Sequence, residues 1–398
     1  MTTNVPEEAL LMLDAERLAE AATTATGLDD LGEKSWRDGL ERLLWSLREE
    51  ADLNELGVQI AAGEVVAYLS NRLEIIEWRR QHPQVAAGDV VPPVVIIGQA
   101  RTGTTVLYDL LAQDPITRVP LTWEVDRPCP PPETATYEID PRIDEVEELQ
   151  AGVELLIPGF RNMHPIGARL AQECVRITAS DFRSLIFPTQ YRTPSYARWL
   201  LDEADLAPAY RWHRQYLQHL QSAHPAQRWL LKSPAHVWHL GALMAEYPDA
   251  LLVQTHRDPL RIIASVSSLQ ATLRRLAADE PDLVDIAKEW ADYILDGLDR
   301  SVTARLDGTV PPERVVDVQF AELNTDPMGV VARVYDQFGL ELTPEAEGRM
   351  REFLAAAPHA GPGAHSYSFA DTELDEGQLR ERARRYQDHF AVPSEPLG

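Results

Sequence analysis

Two segments of the 398-residue sequence combine phosphate-binding side chains with local patterns that would aim them. The first is Gly98-Gln99-Ala100-Arg101-Thr102-Gly103-Thr104-Thr105, which follows a β-branched run and opens a helical pattern. It has the G-x-x-x-x-G frame of a P-loop, whose backbone N–H groups and helix N-terminus surround a phosphate. The Lys that should follow the second Gly is absent, Thr104 stands there, and Arg101 supplies a cation earlier in the loop. That arrangement suits a nucleotide with a single 5′-phosphate carrying a transferable group, and argues against a standard ATPase or GTPase mechanism.

The second segment runs from Pro248 to Pro259 and continues to Ser265. Asp258-Pro259 form a helix N-cap and first turn, Ser265 lies two turns along that helix, and Arg257 at the strand end could either donate bidentately to a phosphate or form an ordinary surface pair with Ser265. Between the two segments, Lys232 ends the apolar run of Arg228–Lys232, the place where α/β sheets hold ligands. With Arg101, it is the cation expected at a transferring group.

The elements that must position these residues are legible in the hydrophobic pattern. The runs around Val90–Ile97, Arg228–Pro234, Ala250–Arg257 and Arg314–Phe320 read as strands buried on both faces, each followed by helical periodicity. Repeated strand-then-helix order implies an α/β fold with a mostly parallel central sheet. Residues 9–83 read as helix almost throughout, with Leu40, Leu43, Leu44 and Leu47 on one face. We therefore expect an N-terminal helical extension over residues 1–88 packed on a domain spanning 89–398. Four prolines within Pro128–Pro132 exclude helix or interior strand, so Asp126–Glu133 is a loop, either an active-site lid or a plain surface connection. Arg382, Arg384 and Arg385 read as a solvated helix face.

Composition bounds the function. The chain is 44% hydrophobic and 25% charged, as in ordinary globular proteins, and its net charge of −26 argues against a nucleic-acid or anionic-membrane partner. Residues 228–275 invert the balance, with 6 bases against 3 acids, so a small anion could be held there. The only cysteines, Cys129 and Cys174, have no metal-ligand spacing, and His236 and His239 lack a third ligand, so no metal is expected. No secretory pattern opens the sequence and no apolar run approaches the ~20 residues that span a bilayer, which predicts a cytoplasmic protein without membrane insertion.

The stretch PPVVIIGQARTGTTVLYDLL resembles the 5′-phosphosulfate loop of sulfotransferases that use 3′-phosphoadenosine 5′-phosphosulfate (PAPS). The Arg257 and Ser265 segment is similar to that family's 3′-phosphate site. Further matching pieces are LTWE (Leu121–Glu124), QEC (Gln172–Cys174), RWLLKSPAH (Arg228–His236) and VQFAELNTDP (Val318–Pro327). The resemblance spans roughly Ser35 to Phe390 and is closest to a bacterial branch that also resembles tyrosylprotein sulfotransferases. It implies a P-loop-like three-layer fold, PAPS as sulfonate donor and PAP (3′-phosphoadenosine 5′-phosphate) as product. The donor would be held by Arg101, Thr102, Gly103, Thr104, Thr105, Arg257, Ser265 and Phe320, with His365 and Ser366 from a C-terminal loop. Phe320 stands where the family has Tyr, and Val106 where cytosolic members have an aromatic residue.

Sulfonate transfer to a hydroxyl needs a base, cations at the transferring group and in-line positioning. The tyrosylprotein branch implies Glu124 as base, and His236 is the other candidate or an acceptor-pocket residue. Glu124 is expected beside Arg101 and Lys232 and enclosed by Trp123. The acceptor, a small molecule bearing a hydroxyl or else an amine, is expected against Trp123, the Pro-rich loop, the region 155–196 including His164 and parts of the N-terminal helices. Competing readings are a nucleotide-dependent phosphotransferase on the same fold, a non-catalytic binder of PAP-like nucleotides, and transfer to a protein tyrosine.

Overall fold

The apolar runs become strands, each largely buried. The computed structural model describes residues 5–156, 166–356 and 368–397. Its strands are β1 (Val94–Ile97), β2 (Thr117–Arg118), β3 (Arg228–Lys232), β4 (Leu251–His256) and β5 (Val315–Gln319). They form one sheet in the order β2-β3-β1-β4-β5, parallel at every pairing. Val95 of β1 lies opposite Leu231 of β3 on one side and Leu252 of β4 on the other. The chain builds outward from β1 to β2 and β3, then returns to add β4 and β5, so the strand order reverses at β1. Ligands of such sheets bind at the carboxyl ends of the strands flanking that reversal, which here are Ile97, Lys232 and His256.

The first strand begins at Val94 rather than Val90, because Pro92 and Pro93 remove two ladder donors. β2, only two residues long, has no sequence signature of its own.

The N-terminal segment is several helices rather than a near-continuous one. Helix Ala15–Thr26 stops at Gly27, which takes the left-handed conformation (φ 70°), and helices Ser35–Glu49 and Glu55–Gln81 follow. Asn54 starts the last of these by accepting from the Gly57 amide at 2.7 Å. Leu40, Leu43, Leu44 and Leu47 are all buried and share one hydrophobic core with Val95 and Ile97 of β1. Each contributes ~1.5–3 kcal/mol by leaving water. Arg72 of the long helix is buried against Asp181 at 3.4 Å and donates to the Leu31 carbonyl at 2.8 Å, tying this layer to the central segment.

The Pro-rich loop is pinned to the body. Arg142 donates to the carbonyls of Arg127 (2.8 Å) and Pro130 (2.5 Å), and His219 Nε2 donates to the Pro128 carbonyl at 2.9 Å. Helix Glu376–Phe390 carries Arg382 and Arg385 on its exposed side, paired with Asp292 and Asp299 of the neighbouring helix Leu283–Leu306. Among the described residues, no helix is long and apolar enough to cross a membrane.

Candidate active site

The Gly98–Thr105 loop turns directly off β1 into helix Thr104–Leu111. Gly98 has φ 125°, and a Cβ there would lie 2.4 Å from Thr255 Oγ1 and 2.6 Å from the Thr255 carbonyl, so the turn can press against β4 only without a side chain. Gly103 has φ 91°, and its Cβ would meet Leu323 at 2.8 Å and Phe320 at 3.3 Å. Thr102 is buried: its hydroxyl donates to the Gln99 carbonyl and shares a 2.6 Å hydrogen bond with Thr255 Oγ1. Thr104 is buried as well. The Thr102 hydroxyl thus braces the loop from within, which leaves the loop backbone to face a ligand. Arg101 (φ 69°) and Thr105 are exposed.

Lys232 reaches the same loop from the end of β3. Its ammonium donates to Thr105 Oγ1 at 3.2 Å and pairs with Glu173 at 2.7 Å. The lysine side chain is only 4% exposed, whereas Glu173 retains 27% exposure. Glu173 is held by a strap of backbone hydrogen bonds. Gln172 N donates to the Pro120 carbonyl at 2.7 Å, Thr122 N to Leu170 at 2.9 Å and Trp123 N to Ala168 at 3.0 Å. Tyr108 OH adds a bond to the Gln172 carbonyl at 3.1 Å. LTWE and QEC thus meet as neighbours. Glu173 is the functional candidate that sequence reasoning missed, and its only signal was its place in QEC.

Glu124 takes a different partner from those expected. It is fully buried and pairs with Arg118 at 2.9 Å, not with Arg101 or Lys232, while its other oxygen accepts from the Leu121 amide at 3.0 Å. Arg118 is itself enclosed, with its guanidinium 4.6 Å from the Trp229 ring. Trp123 is buried in a satellite core with Ile143, Val146 and Ala168 and lies under the Arg142 guanidinium at 4.8 Å. His236 is buried, with Nδ1 2.8 Å from the Tyr210 hydroxyl. Burial, with His213 and His239 nearby, lowers its pKa to about 3, which keeps the ring neutral and weakly basic. Burial also raises the Cys174 thiol to about 12, leaving it protonated.

Beyond β4, Arg257 sits where a phosphate donor was expected. Its guanidinium grips the carboxylate of Glu395 through Nε (3.0 Å) and Nη2 (3.1 Å), and Nη1 donates to the Arg101 carbonyl at 3.0 Å. The guanidinium carbon is 4.0 Å from the centre of the Phe320 ring. Ser265 Oγ accepts from Arg101 Nε at 3.1 Å, which couples the loop to helix Pro259–Arg274. The tail that delivers Glu395 is fixed by its amide, which donates to Asp258 Oδ2 at 2.6 Å, and by Arg261, which donates to the Leu397 carbonyl at 3.1 Å. His164, His365 and Ser366 lie outside the described residues. Among the described residues, no group of three His, Cys, Asp or Glu side chains is placed to hold a metal ion.

Cations from β3, the β1 loop and β4 therefore line up along one strand-end edge, with a carboxylate at Lys232. Such an edge can hold a doubly anionic nucleotide and take a proton beside it. Residues 92–344 match the model of a family described as the sulfotransferase family. The crystal structure of sulfotransferase STF9 from Mycobacterium avium superposes with a TM-score of 0.87 at 31% identity, over 97% of this chain and 98% of that one. Sulfotransferase STF1 from Mycobacterium tuberculosis H37Rv gives a TM-score of 0.82 at 32% identity, over 93% and 98% of the two chains. Omega-hydroxy-beta-dihydromenaquinone-9 sulfotransferase Stf3 of Mycobacterium bovis is 28% identical over 298 residues, covering 69% of each chain. Matched over nearly its whole length, the chain belongs to the sulfotransferase family and is a sulfotransferase enzyme.

Proposed function

We propose that the enzyme moves the sulfonate group of PAPS to a hydroxyl of a small-molecule acceptor, with Glu173 as the base. The observation that carries this reading is the Glu173–Lys232–Thr105 chain, which puts a part-exposed carboxylate and a buried ammonium against the phosphate loop. The residues present fit the donor. The loop backbone and Thr105 would hold its 5′ end, and Arg257 already binds a carboxylate with the two-point geometry suited to a terminal phosphate. Phe320 would give the adenine an aromatic contact without the phenolic hydrogen bond of a tyrosine.

Bound there, PAPS supplies an activated sulfonate. Glu173 takes the proton of the acceptor hydroxyl as the new S–O bond forms, and Lys232 and Arg101 stabilise the charge left on the 5′-phosphate as the old S–O bond breaks. Neither Glu124 nor His236 suits the role of base: both oxygens of the first are engaged in the fold, and the second is held far below useful basicity. The Stf3 relative, named for an omega-hydroxy acceptor, supports an apolar alcohol as the acceptor class.

Thermal unfolding with excess PAP, ADP, or ATP plus Mg²⁺ tests the donor. At ~100 times its dissociation constant, PAP adds about 2.7 kcal/mol to the native state, and Arg257→Ala removes that gain. Stabilisation by ATP with Mg²⁺ alone would replace this reading by the phosphotransferase one.

A further inference from the structure

A carboxylate that takes a proton during group transfer must be aimed closely, because a misplacement of about 1 Å can cost ~10²-fold in rate. Glu173 is part-exposed and stands at the N-cap of the short helix Cys174–Thr178, so its aim has to come from its neighbours. The peptide unit that leads into it is held at both polar atoms. Its N–H, from Glu173, donates to Gln172 Oε1 at 3.1 Å, and its carbonyl, from Gln172, accepts from the Tyr108 hydroxyl at 3.1 Å. Gln172 is tied in turn, since its side-chain amide donates to Thr122 Oγ1 at 3.4 Å. A peptide unit is planar, so fixing both of its polar atoms fixes the point from which the Glu173 side chain leaves the backbone.

Tyr108 joins this peptide to the donor loop. It lies one turn beyond Thr105 on helix Thr104–Leu111, so the two side chains share a face. Thr105 Oγ1 accepts from the Lys232 ammonium at 3.2 Å, and that ammonium stands 5.3 Å from the centre of the Tyr108 ring. The tyrosine is fully buried, which raises its pKa well above the ordinary value, so the hydroxyl keeps its proton and acts as a donor. Its other acceptor within reach, the Leu230 carbonyl at 3.4 Å, belongs to β3 two residues before Lys232. A phenylalanine would fill the same apolar core with Leu107, Leu110 and Leu230 and reach neither carbonyl. One helix thus opens at the phosphate loop, supports Lys232 through Thr105 and holds the peptide before Glu173 through Tyr108.

We propose that Tyr108 is the positioning residue of the base: its hydroxyl fixes the Gln172–Glu173 peptide to the helix that opens at the phosphate loop, so that donor and base share one frame. This role rests on the reading of Glu173 as the base, because Tyr108 acts through Glu173 alone. Removing the hydroxyl leaves the Gln172 carbonyl without its donor and frees the strap to shift. The ring, the phosphate loop and Arg257 stay in place. The loss therefore appears in kcat and not in nucleotide affinity.

The test is a double-mutant cycle on Tyr108→Phe and Glu173→Gln, with PAPS as donor and 2-naphthol or 1-decanol as acceptor, whichever turns over faster. PAP affinity is read by titration calorimetry. Tyr108→Phe alone should lower kcat by about 10- to 100-fold and leave PAP affinity and acceptor KM within about threefold. In the Glu173→Gln background the same change should cost less than about twofold, since no base is left to aim. Tyr196→Phe is the control: it removes another buried hydroxyl, which donates to the Phe182 carbonyl at 2.8 Å, and should keep kcat. Where Tyr108→Phe does not fold, Gln172→Met removes the hold on the Glu173 N–H and should give the same coupled loss. An equal loss in both backgrounds, or a wild-type kcat in Tyr108→Phe, overturns the positioning role while a low kcat in Glu173→Gln keeps the base. Near-normal turnover in Glu173→Gln overturns both.

Amide hydrogen exchange supplies a readout that needs no acceptor. With PAP bound, Tyr108→Phe should speed exchange across residues 168–173 by about tenfold, the yield of one lost hydrogen bond, and leave β1 and β4 unchanged. Unchanged exchange at 168–173, or a rise shared by the whole sheet, overturns the proposal.

Discussion

Glu124 uses both of its oxygens on Arg118 and the Leu121 amide, whereas Glu173 keeps 27% of its side chain exposed against Lys232. Removing one partner of a buried pair leaves the other charge uncompensated, so Glu124→Gln should lower stability by about 3–5 kcal/mol in chemical denaturation. An unchanged midpoint would contradict that structural role. Glu173→Gln should keep PAP binding while kcat falls by roughly 10²–10⁴, the usual yield of a positioned base. Turnover near the wild-type value would take Glu173 out of the mechanism. The placing of Arg101, Lys232 and Arg257 at the strand-end edge was legible in the sequence, because each ends an apolar run or sits in a glycine frame that aims it. It could not announce Glu173, whose position depends on residues 168–173 docking across 120–123. Glu124, singled out because LTWE resembles the tyrosylprotein branch, accepts from the Leu121 amide in the turn against which the Glu173 strap is laid.

The phosphate loop works as an element because two glycines let it lie between β4 and the helix after β5. Gly98→Ala should destabilise by ~2–4 kcal/mol, since the new Cβ meets the Thr255 backbone and φ 125° strains any side chain. A thermal midpoint equal to wild type would show that β4 can move away. Four strands and the long amphipathic helices were readable, because continuous β-branched runs and i, i+3, i+4 leucines each leave a period in the sequence. The breaks after Thr26 and Glu49 and the two-residue β2 were not, because they answer to packing partners distant in sequence. The Pro-rich segment was readable only as non-helical. Its anchoring by Arg142 and His219 is a tertiary choice.

Taken as a whole, the molecule buries several histidines in neutral form. His213, His236 and His239 have pKa values lowered to about 3, and His219 to about 4, with desolvation the leading cause in each. Unfolded histidines titrate near ~6.5, so below that pH the unfolded chain takes up protons that the folded chain refuses. Stability should therefore fall as pH drops from about 6.5, by up to ~1.4 kcal/mol per pH unit for each histidine, until the folded values are reached. A denaturation midpoint flat between pH 7 and pH 5 would refute this. The tail segment 391–397 also acts at molecular scale, because its Glu395 carboxylate rests on the arginine that the proposed 3′-phosphate needs. Glu395→Gln should tighten PAP binding by about 3- to 10-fold, as expected for loss of a partly exposed ion pair, and an equal or weaker affinity by titration calorimetry would argue otherwise. Such a carboxylate is a tethered competitor with a fixed effective concentration. Dilution cannot relieve it and added protein cannot strengthen it, so the enzyme would carry its own threshold for nucleotide, set by chain geometry and independent of how many copies the cell makes.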